Sequence, residues 1–123
     1  MAGLVSEDIT FQILSAAFEV HNTLGPGFLE NVYQGAMIHE LDARGIKAES
    51  EHRIPVSYKD KVIGVFSADI LVEGQVIVEL KAVEFLSRAH DAQILNYLKA
   101  TGKRVGLLIN FGSDRVEHKR FVL

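Results

Sequence analysis

The segment that decides the fold reads Val65-Phe66-Ser67-Ala68-Asp69-Ile70-Leu71-Val72-Glu73-Gly74-Gln75-Val76-Ile77-Val78-Glu79-Leu80-Lys81. Its two apolar runs, rich in Val and Ile, predict two strands, and Glu73-Gly74 between them predicts a tight turn. Because side chains alternate between the faces of a strand, Glu79 and Lys81 point to the same face, about 7 Å apart. Opposite charges at that spacing can reach one ligand.

A second carboxylate lies across the predicted hairpin. Antiparallel pairing places Asp69 opposite residues 78–80, and therefore near Glu79. Two interpretations stay open. In one, Asp69 faces solvent and Glu79 forms a weak surface ion pair with Lys81. In the other, the two acids hold Mg²⁺ or Mn²⁺, which relieves their repulsion and carries an attacking water, while Lys81 contacts that water or the phosphate.

Composition limits the class of protein. The 123 residues, 48% of them hydrophobic, predict one domain over residues 1–123 with a single packed core. The absence of cysteine excludes disulfides, thiolate metal sites and cysteine nucleophiles. A formal charge of −3 argues against a protein that coats nucleic acid, although it permits a compact active site. No leader or long apolar stretch is evident, so we expect a soluble cytoplasmic protein without a membrane contact.

The remaining sequence predicts a mixed α/β fold around one sheet, in the order ααβββαββ. Apolar residues recur at helical spacing from Ser6 to Leu24, and Ser6 or Asp8 can cap this helix. A Gly-Pro-Gly break follows, and a second helix is predicted with an apolar inner face of Leu29, Val32, Ala36 and Ala43. The predicted helices span 6–24, 28–43 and 88–101, and the predicted strands span 46–58, 62–72, 75–82, 105–111 and 116–122.

The second helix offers a third carboxylate. Glu30, Tyr33, Met37 and Leu41 lie along one line of this helix, beside the predicted apolar stripe, so Glu30 leans inward. An acidic residue in a first helical turn is also favoured by the helix dipole alone. Glu30 is therefore either part of an acidic cluster or a simple dipole partner.

The third helix carries a polar line of its own. His90, Gln93 and Tyr97 fall on one face, which we expect to look at the sheet. Gln93 can then hydrogen-bond a water or a substrate phosphate, and Tyr97 can support the ligand. The alternatives are a core aromatic for Tyr97 and a structural histidine for His90.

These residues carry a family resemblance. Asp69 followed by Glu79-Leu80-Lys81 resembles the D…(D/E)xK signature of the PD-(D/E)xK nuclease superfamily, and Gln93-Ile94-Leu95-Asn96-Tyr97 resembles the QxxxY element of its RecB-like branch. Gly27-Phe28-Leu29-Glu30-Asn31-Val32-Tyr33 matches the pattern that names the GxxExxY protein family, a resemblance that extends over nearly the whole chain. One departure is Ala68, which stands where the superfamily signature has proline.

The resemblance implies a restriction-endonuclease-like core and a magnesium-dependent nuclease, a hydrolase of phosphodiester bonds with DNA as the expected substrate. It implies Asp69, Glu79 and Glu30 as acidic metal-site residues, Lys81 as the catalytic lysine, and Gln93 and Tyr97 as residues that line the site. We also expect the carbonyl of Leu80 as an extra metal ligand. Mg²⁺ or Mn²⁺ is the expected cofactor.

A rival interpretation keeps the fold without the chemistry. In it, the domain binds nucleic acid or a partner protein and cuts nothing, which suits the acidic net charge. A purely structural subunit is a third possibility. A chain this short has little surface with which to grip a long duplex, so a homodimer or a partner subunit is also expected.

Overall fold

The computed structural model describes residues 7–123, which form three helices and five strands. The helices are α1 (Glu7–Leu24), α2 (Glu30–Ala43) and α3 (Arg88–Thr101); the strands are β1 (Ala48–Tyr58), β2 (Lys61–Val72), β3 (Val76–Lys81), β4 (Val105–Asn110) and β5 (Glu117–Val122). The predicted order ααβββαββ is confirmed, and the boundaries of the described elements differ from the prediction by at most two residues. Ser6, one of the two proposed caps of α1, lies outside the described residues.

The five strands form one mixed sheet in the order β1-β2-β3-β4-β5. Neighbours are antiparallel except β3 and β4, which run parallel because α3 provides the crossover between them. The β2–β3 hairpin is confirmed, with Ile70 opposite Val78. At its turn, Glu73 and Gly74 have φ values of 52° and 67°, the left-handed conformation that tight hairpins require.

Helices cover both faces of the sheet. The larger core lies between the sheet and the α1–α2 pair and includes Ile13, Met37 and Val78. The smaller core lies under α3, where Leu98 packs with Ile77. Because it is covered on both faces, β4 is buried along its whole length, as its continuous apolar run predicts. None of the helices in the described part of the chain is long and apolar enough to cross a lipid bilayer.

The orientation of α2 differs from the prediction. Leu29 is 77% exposed and Val32 is 38% exposed, so the predicted inner face is wrong at these positions, although Ala36 packs against the core. The residues of α2 that are buried are Tyr33, Met37 and Leu41. The helix turns its largest side chains inward because they bury more apolar surface than the small and branched residues beside them. The line that begins at Glu30 is therefore the buried stripe itself.

Tyr33 connects this helix to the loop that precedes it. Its hydroxyl donates to the Gly25 carbonyl at 2.6 Å and accepts from the Phe28 N–H at 3.2 Å. Its fully buried ring stacks on Phe111, with centroids 4.6 Å apart. The phenol thus satisfies two loop backbone groups and fixes the point at which α2 begins with Glu30.

We predict that Tyr33→Phe lowers the free energy of unfolding by about 1–3 kcal/mol, since a donor and an acceptor near the core lose their partner. Urea denaturation followed by circular dichroism measures this change. Tyr58→Phe is the matched control, because Tyr58 is 59% exposed and the change should lie within about 0.5 kcal/mol of zero. Equal stability of the two variants would contradict the role given to the hydroxyl.

Candidate active site

Two carboxylates join β2 and β3 where their backbone pairing ends. The ladder stops at Ile70 and Val78. At the next position, the Asp69 N–H donates to Glu79 Oε2 at 3.0 Å, and the Leu80 N–H donates to Asp69 Oδ2 at 2.8 Å. Each acid therefore accepts a backbone hydrogen bond from the opposite strand. We call Asp69 and Glu79 the acid pair. The register of the hairpin brings the two residues close together, as the sequence predicts.

The side chains of β2 switch faces at the acid pair. Phe66 and Ala68 belong to the core under α3, whereas Ile70 belongs to the core under α1 and α2, so the alternation of faces shifts across Asp69. On the neighbouring strand, Glu51 has a φ of 51°, a left-handed value that marks a local irregularity. Irregularities of this kind re-aim side chains beside functional sites.

Gln34 holds this irregular region from the side of α2. Its Nε2 donates to the carbonyl of Asp69 at 3.2 Å and to Ser50 Oγ at 2.7 Å. The amide thereby joins α2 to both β1 and β2 at the level of the acid pair. Gln34 was not among the predicted site residues, because its sequence position gives no signal of a partner 35 residues away.

The acid pair is held in surroundings that disfavour its negative charge. Burial, and then the nearby charge of Asp69, raise the pKa of Glu79 to about 7, against the opposing effects of the Asp69 N–H and Lys81. Burial also raises the pKa of Asp69, while the Leu80 N–H and Lys81 act to lower it. A divalent cation bound between the two groups would balance their negative charges and so favour the ionised carboxylates.

Lys81, Gln93 and Tyr97 form a chain of contacts beside the acid pair. Lys81 Nζ donates to Gln93 Oε1 at 3.5 Å, and Gln93 Nε2 donates to the Tyr97 hydroxyl at 3.1 Å. The Tyr97 ring stacks on Phe66, with centroids 3.7 Å apart. The predicted polar face of α3 thus lies toward the sheet. His90 accepts the Ser87 N–H at 3.1 Å at the start of α3, which is a structural use of histidine.

Glu30 lies at the margin of the site. It is exposed at the start of α2, and its charge contributes to the raised pKa of Glu79, so the two carboxylates are electrostatically coupled. Within residues 7–123, no group of three or more Asp, Glu or His side chains is placed to hold a metal ion. The structure therefore brings together two of the three predicted acids. Two carboxylates still fit Mg²⁺, which is commonly held by one or two carboxylates with water and substrate phosphate as the other ligands.

Asn110 is a supporting residue that the sequence analysis missed. It is fully buried beside Lys81 in the parallel register. Its Oδ1 accepts from the Val83 N–H at 2.9 Å and the Gly112 N–H at 3.0 Å, and its Nδ2 donates to the Val83 carbonyl and to Glu117 Oε1, both at 2.8 Å. The amide thus fixes the segment that leaves β3 directly after Lys81. A polar residue at the end of the apolar run 105–109 was the available signal.

Known proteins resemble this chain in sequence family and in fold. The family model of the PD-(D/E)XK nuclease superfamily matches residues 7–121. The crystal structure of SSO0001 is similar, with a TM-score of 0.59 and 16% identity over 95% of this chain and 59% of that one. An alkaline exonuclease from Laribacter hongkongensis aligns with a TM-score of 0.39 and 11% identity over 92% of this chain and 81% of that one. No curated protein matches the chain significantly.

These comparisons bear on the fold. The five-stranded mixed sheet with three helices, together with the family match, confirms the predicted restriction-endonuclease-like α/β fold. The chain spans 59% of the length of SSO0001, so the likeness concerns the shared fold.

We predict that Glu79→Gln raises the free energy of unfolding of the metal-free protein relative to wild type, and that this gain is larger at pH 8 than at pH 4.5. The folded-state pKa of Glu79 lies above the unfolded value, so the folded state binds the proton more tightly, and stability falls as pH rises from about 4.5 to about 7. The shift corresponds to on the order of 3 kcal/mol. Glutamine has no proton to lose in this pH range, so it stays uncharged, and its side-chain oxygen can still accept the Asp69 N–H.

Urea denaturation in EDTA at the two pH values measures this effect. Glu19→Gln is the matched control, because Glu19 is exposed on α1. If both variants show the same pH dependence of stability as the wild type, the acid pair is not the source of the unfavourable charge.

Proposed function

This chain belongs to the PD-(D/E)XK nuclease superfamily, and on that premise we propose that it is a metal-dependent nuclease that hydrolyses phosphodiester bonds in DNA. The observation that carries the proposal is the acid pair. Asp69 and Glu79 are buried enough to have raised pKa values and are aligned by backbone N–H groups, and Lys81 lies on the same strand as Glu79. A structural surface ion pair does not need buried acids that repel one another.

The acid pair is the proposed site of Mg²⁺ or Mn²⁺. Asp69 and Glu79 would hold the ion directly, with the Leu80 carbonyl as an added oxygen ligand and Glu30 acting directly or through water. Such an ion, when bound, polarises a phosphate and makes water a better nucleophile at neutral pH. The N–H groups of Asp69 and Leu80 keep each carboxylate in one orientation, so little reordering is needed when the ion binds.

Lys81 is the proposed catalytic lysine. Lys81 follows Glu79 by two residues on β3, and its positive charge acts to lower the pKa of both acids against the effect of burial. There it would orient the nucleophilic water and offset the charge that builds on the phosphate. Gln93 holds the ammonium through Oε1, and Tyr97 holds Gln93 in turn, so both residues position Lys81 as well as line the site.

A binding module is the second candidate function. The net charge of −3, and a pair of carboxylates rather than a cluster of three within residues 7–123, both favour it. In this case the acid pair would be retained for the fold, and nucleic acid or a protein partner would be bound and released intact. Isothermal calorimetry with Mn²⁺ separates the two functions, because only the nuclease requires the ion.

Several finer assignments stay predictions. They are membership of the GxxExxY family and of the RecB-like branch, a homodimer or partner subunit, and a cytoplasmic location. The proposed nuclease depends on none of them.

We predict that Lys81→Ala and Asp69→Asn each lower the rate of DNA cleavage by at least about 100-fold. The assay uses single-stranded DNA, double-stranded DNA and RNA, each with Mg²⁺ or Mn²⁺ and with an EDTA blank. Lys99→Ala and Asp60→Asn are the matched controls. Lys99 is exposed on α3, and Asp60 is exposed at the β1–β2 turn with a φ of 66°, which asparagine tolerates well.

Two results would contradict the proposal. If Lys81→Ala and Asp69→Asn cleave as fast as their controls, the observed activity does not come from this site. If the protein binds no Mn²⁺ in calorimetry yet binds DNA without cutting it, the binding module is the correct function.

A further inference from the structure

A cleft lies beside the acid pair, between α3 and the distal part of the β1–β2 hairpin. We call residues 53–67 the arm. Its residues 57–65 are all exposed, so the arm extends beyond the core. The cleft has a volume of about 430 Å³, within the range of small-molecule sites. Its lining includes Val56, Ile63, Val65, Phe66, Tyr97 and Glu79.

We propose that this cleft binds an unpaired nucleobase of the substrate strand, so that the nuclease acts on single-stranded nucleic acid. The inference rests on the proposed function, because it names the substrate of that same site. Three properties of the cleft carry it: its continuity with the acid pair, its aromatic surface, and the absence of lysine and arginine from its lining within residues 7–123.

Glu79 provides the continuity, because it lines the cleft and is also half of the acid pair. Phe66 lies three residues before Asp69 on β2, about 10 Å along the strand. One nucleotide spans a distance of that order between its base and its neighbouring phosphate. A base in the cleft would therefore present a phosphate of its own strand to Asp69 and Glu79.

The aromatic surface comes from Tyr97, whose ring rests on Phe66, a core residue that is only 8% exposed. The rings stack at 3.7 Å between centroids with 23° between their planes, and both line the cleft. Tyr97 keeps part of its surface exposed, and its hydroxyl is held by Gln93. An aromatic ring held in place in this way, next to aliphatic side chains, can stack on the face of any base, because stacking does not depend on the pattern of donors and acceptors.

The charges of the cleft argue against a duplex. Among residues 7–123, no lysine or arginine lines this cleft, and Glu79 is its charged lining residue. Duplex binding depends on basic contacts with phosphates, and a duplex keeps the faces of its bases inside its own stack. The exposed apolar residues Ile63 and Val65, at 64% and 50% exposure, instead match the exposed face of an unpaired base.

The test is fluorescence anisotropy of labelled oligonucleotides in EDTA, which prevents metal-dependent cleavage. We expect a single-stranded DNA oligonucleotide to bind at least about tenfold more tightly than a blunt duplex of the same sequence at the same salt concentration. Val65→Asp should weaken binding of the single strand about tenfold by placing a like charge in the cleft. Val62→Asp is the matched control, because Val62 is 59% exposed on the same strand outside the cleft, and we expect a change below about twofold.

A second variant tests the aromatic surface. Phe66→Leu keeps an apolar side chain and removes the ring on which Tyr97 rests. The fluorescence of a 2-aminopurine base, which falls on stacking, should drop when the oligonucleotide binds the wild type and should drop much less with this variant. Circular dichroism checks that Phe66→Leu is folded. If this variant is unfolded, the binding measurement with Val65→Asp, a change at an exposed residue, tests the inference instead.

The inference is overturned if the duplex binds as tightly as the single strand, if neither binds, or if Val65→Asp and Val62→Asp bind the single strand equally. Failure of the proposed function is a separate result. A preference for single strands that depends on Val65, in a protein that cleaves nothing with Mn²⁺, would support the cleft and contradict the nuclease.

Discussion

The reciprocal hydrogen bonds of the acid pair are the interaction on which the site depends. Asp69 and Glu79 each accept an N–H from the opposite strand at the point where β2 and β3 stop pairing. The bonds do two things at once. They satisfy backbone donors that the ending ladder leaves open, and they aim two carboxylates at one place. Loss of either acid therefore disturbs both the end of the hairpin and the chemistry proposed there.

Two neighbouring buried acids lower the free energy of unfolding, and the packing around them offsets this loss. The raised pKa of Glu79 shows that its charged form is disfavoured in the folded protein. Cores on both faces of the sheet offset this cost, and three polar side chains fix the segments around the site. Tyr33 anchors the start of α2, Gln34 joins α2 to the irregular part of β2, and Asn110 fixes the chain after Lys81. Each acts through backbone groups, so each constrains position more than side-chain chemistry.

The helix α3 links the acid pair to the cleft. Gly106 on β4 permits its close approach, because a Cβ there would lie 2.9 Å from the Cδ1 of Ile94. From that position, Gln93 reaches Lys81 and Tyr97 stacks on Phe66 of the arm. One helical face thus contacts Lys81, the proposed catalytic lysine, and the proposed base site together. Because α3 supports both Lys81 and the cleft, a change in the packing of α3 should alter the position of both.

The sequence predicts those features that depend on residues close together in the chain. The hairpin of β2 and β3, the sharing of one face by Glu79 and Lys81, and the polar face of α3 depend on neighbours within about ten residues, and local periodicity and turn chemistry determine them. The approach of Asp69 to Glu79 belongs to the same group, because the short turn of residues 73–75 sets the register.

Contacts between distant elements determined the rest. The rotation of α2 follows from the fit of Tyr33 against Phe111, which no pattern within the helix contains, and for this reason its predicted inner face is wrong. The roles of Gln34 and Asn110, the exposed place of Glu30 and the cleft between the arm and α3 also need the assembled sheet. The sequence by itself determined that β2 and β3 pair and that Glu79 and Lys81 share a face. Only the tertiary structure decided how deeply these groups are buried and what stands beside them, because burial and packing depend on elements far apart in the chain.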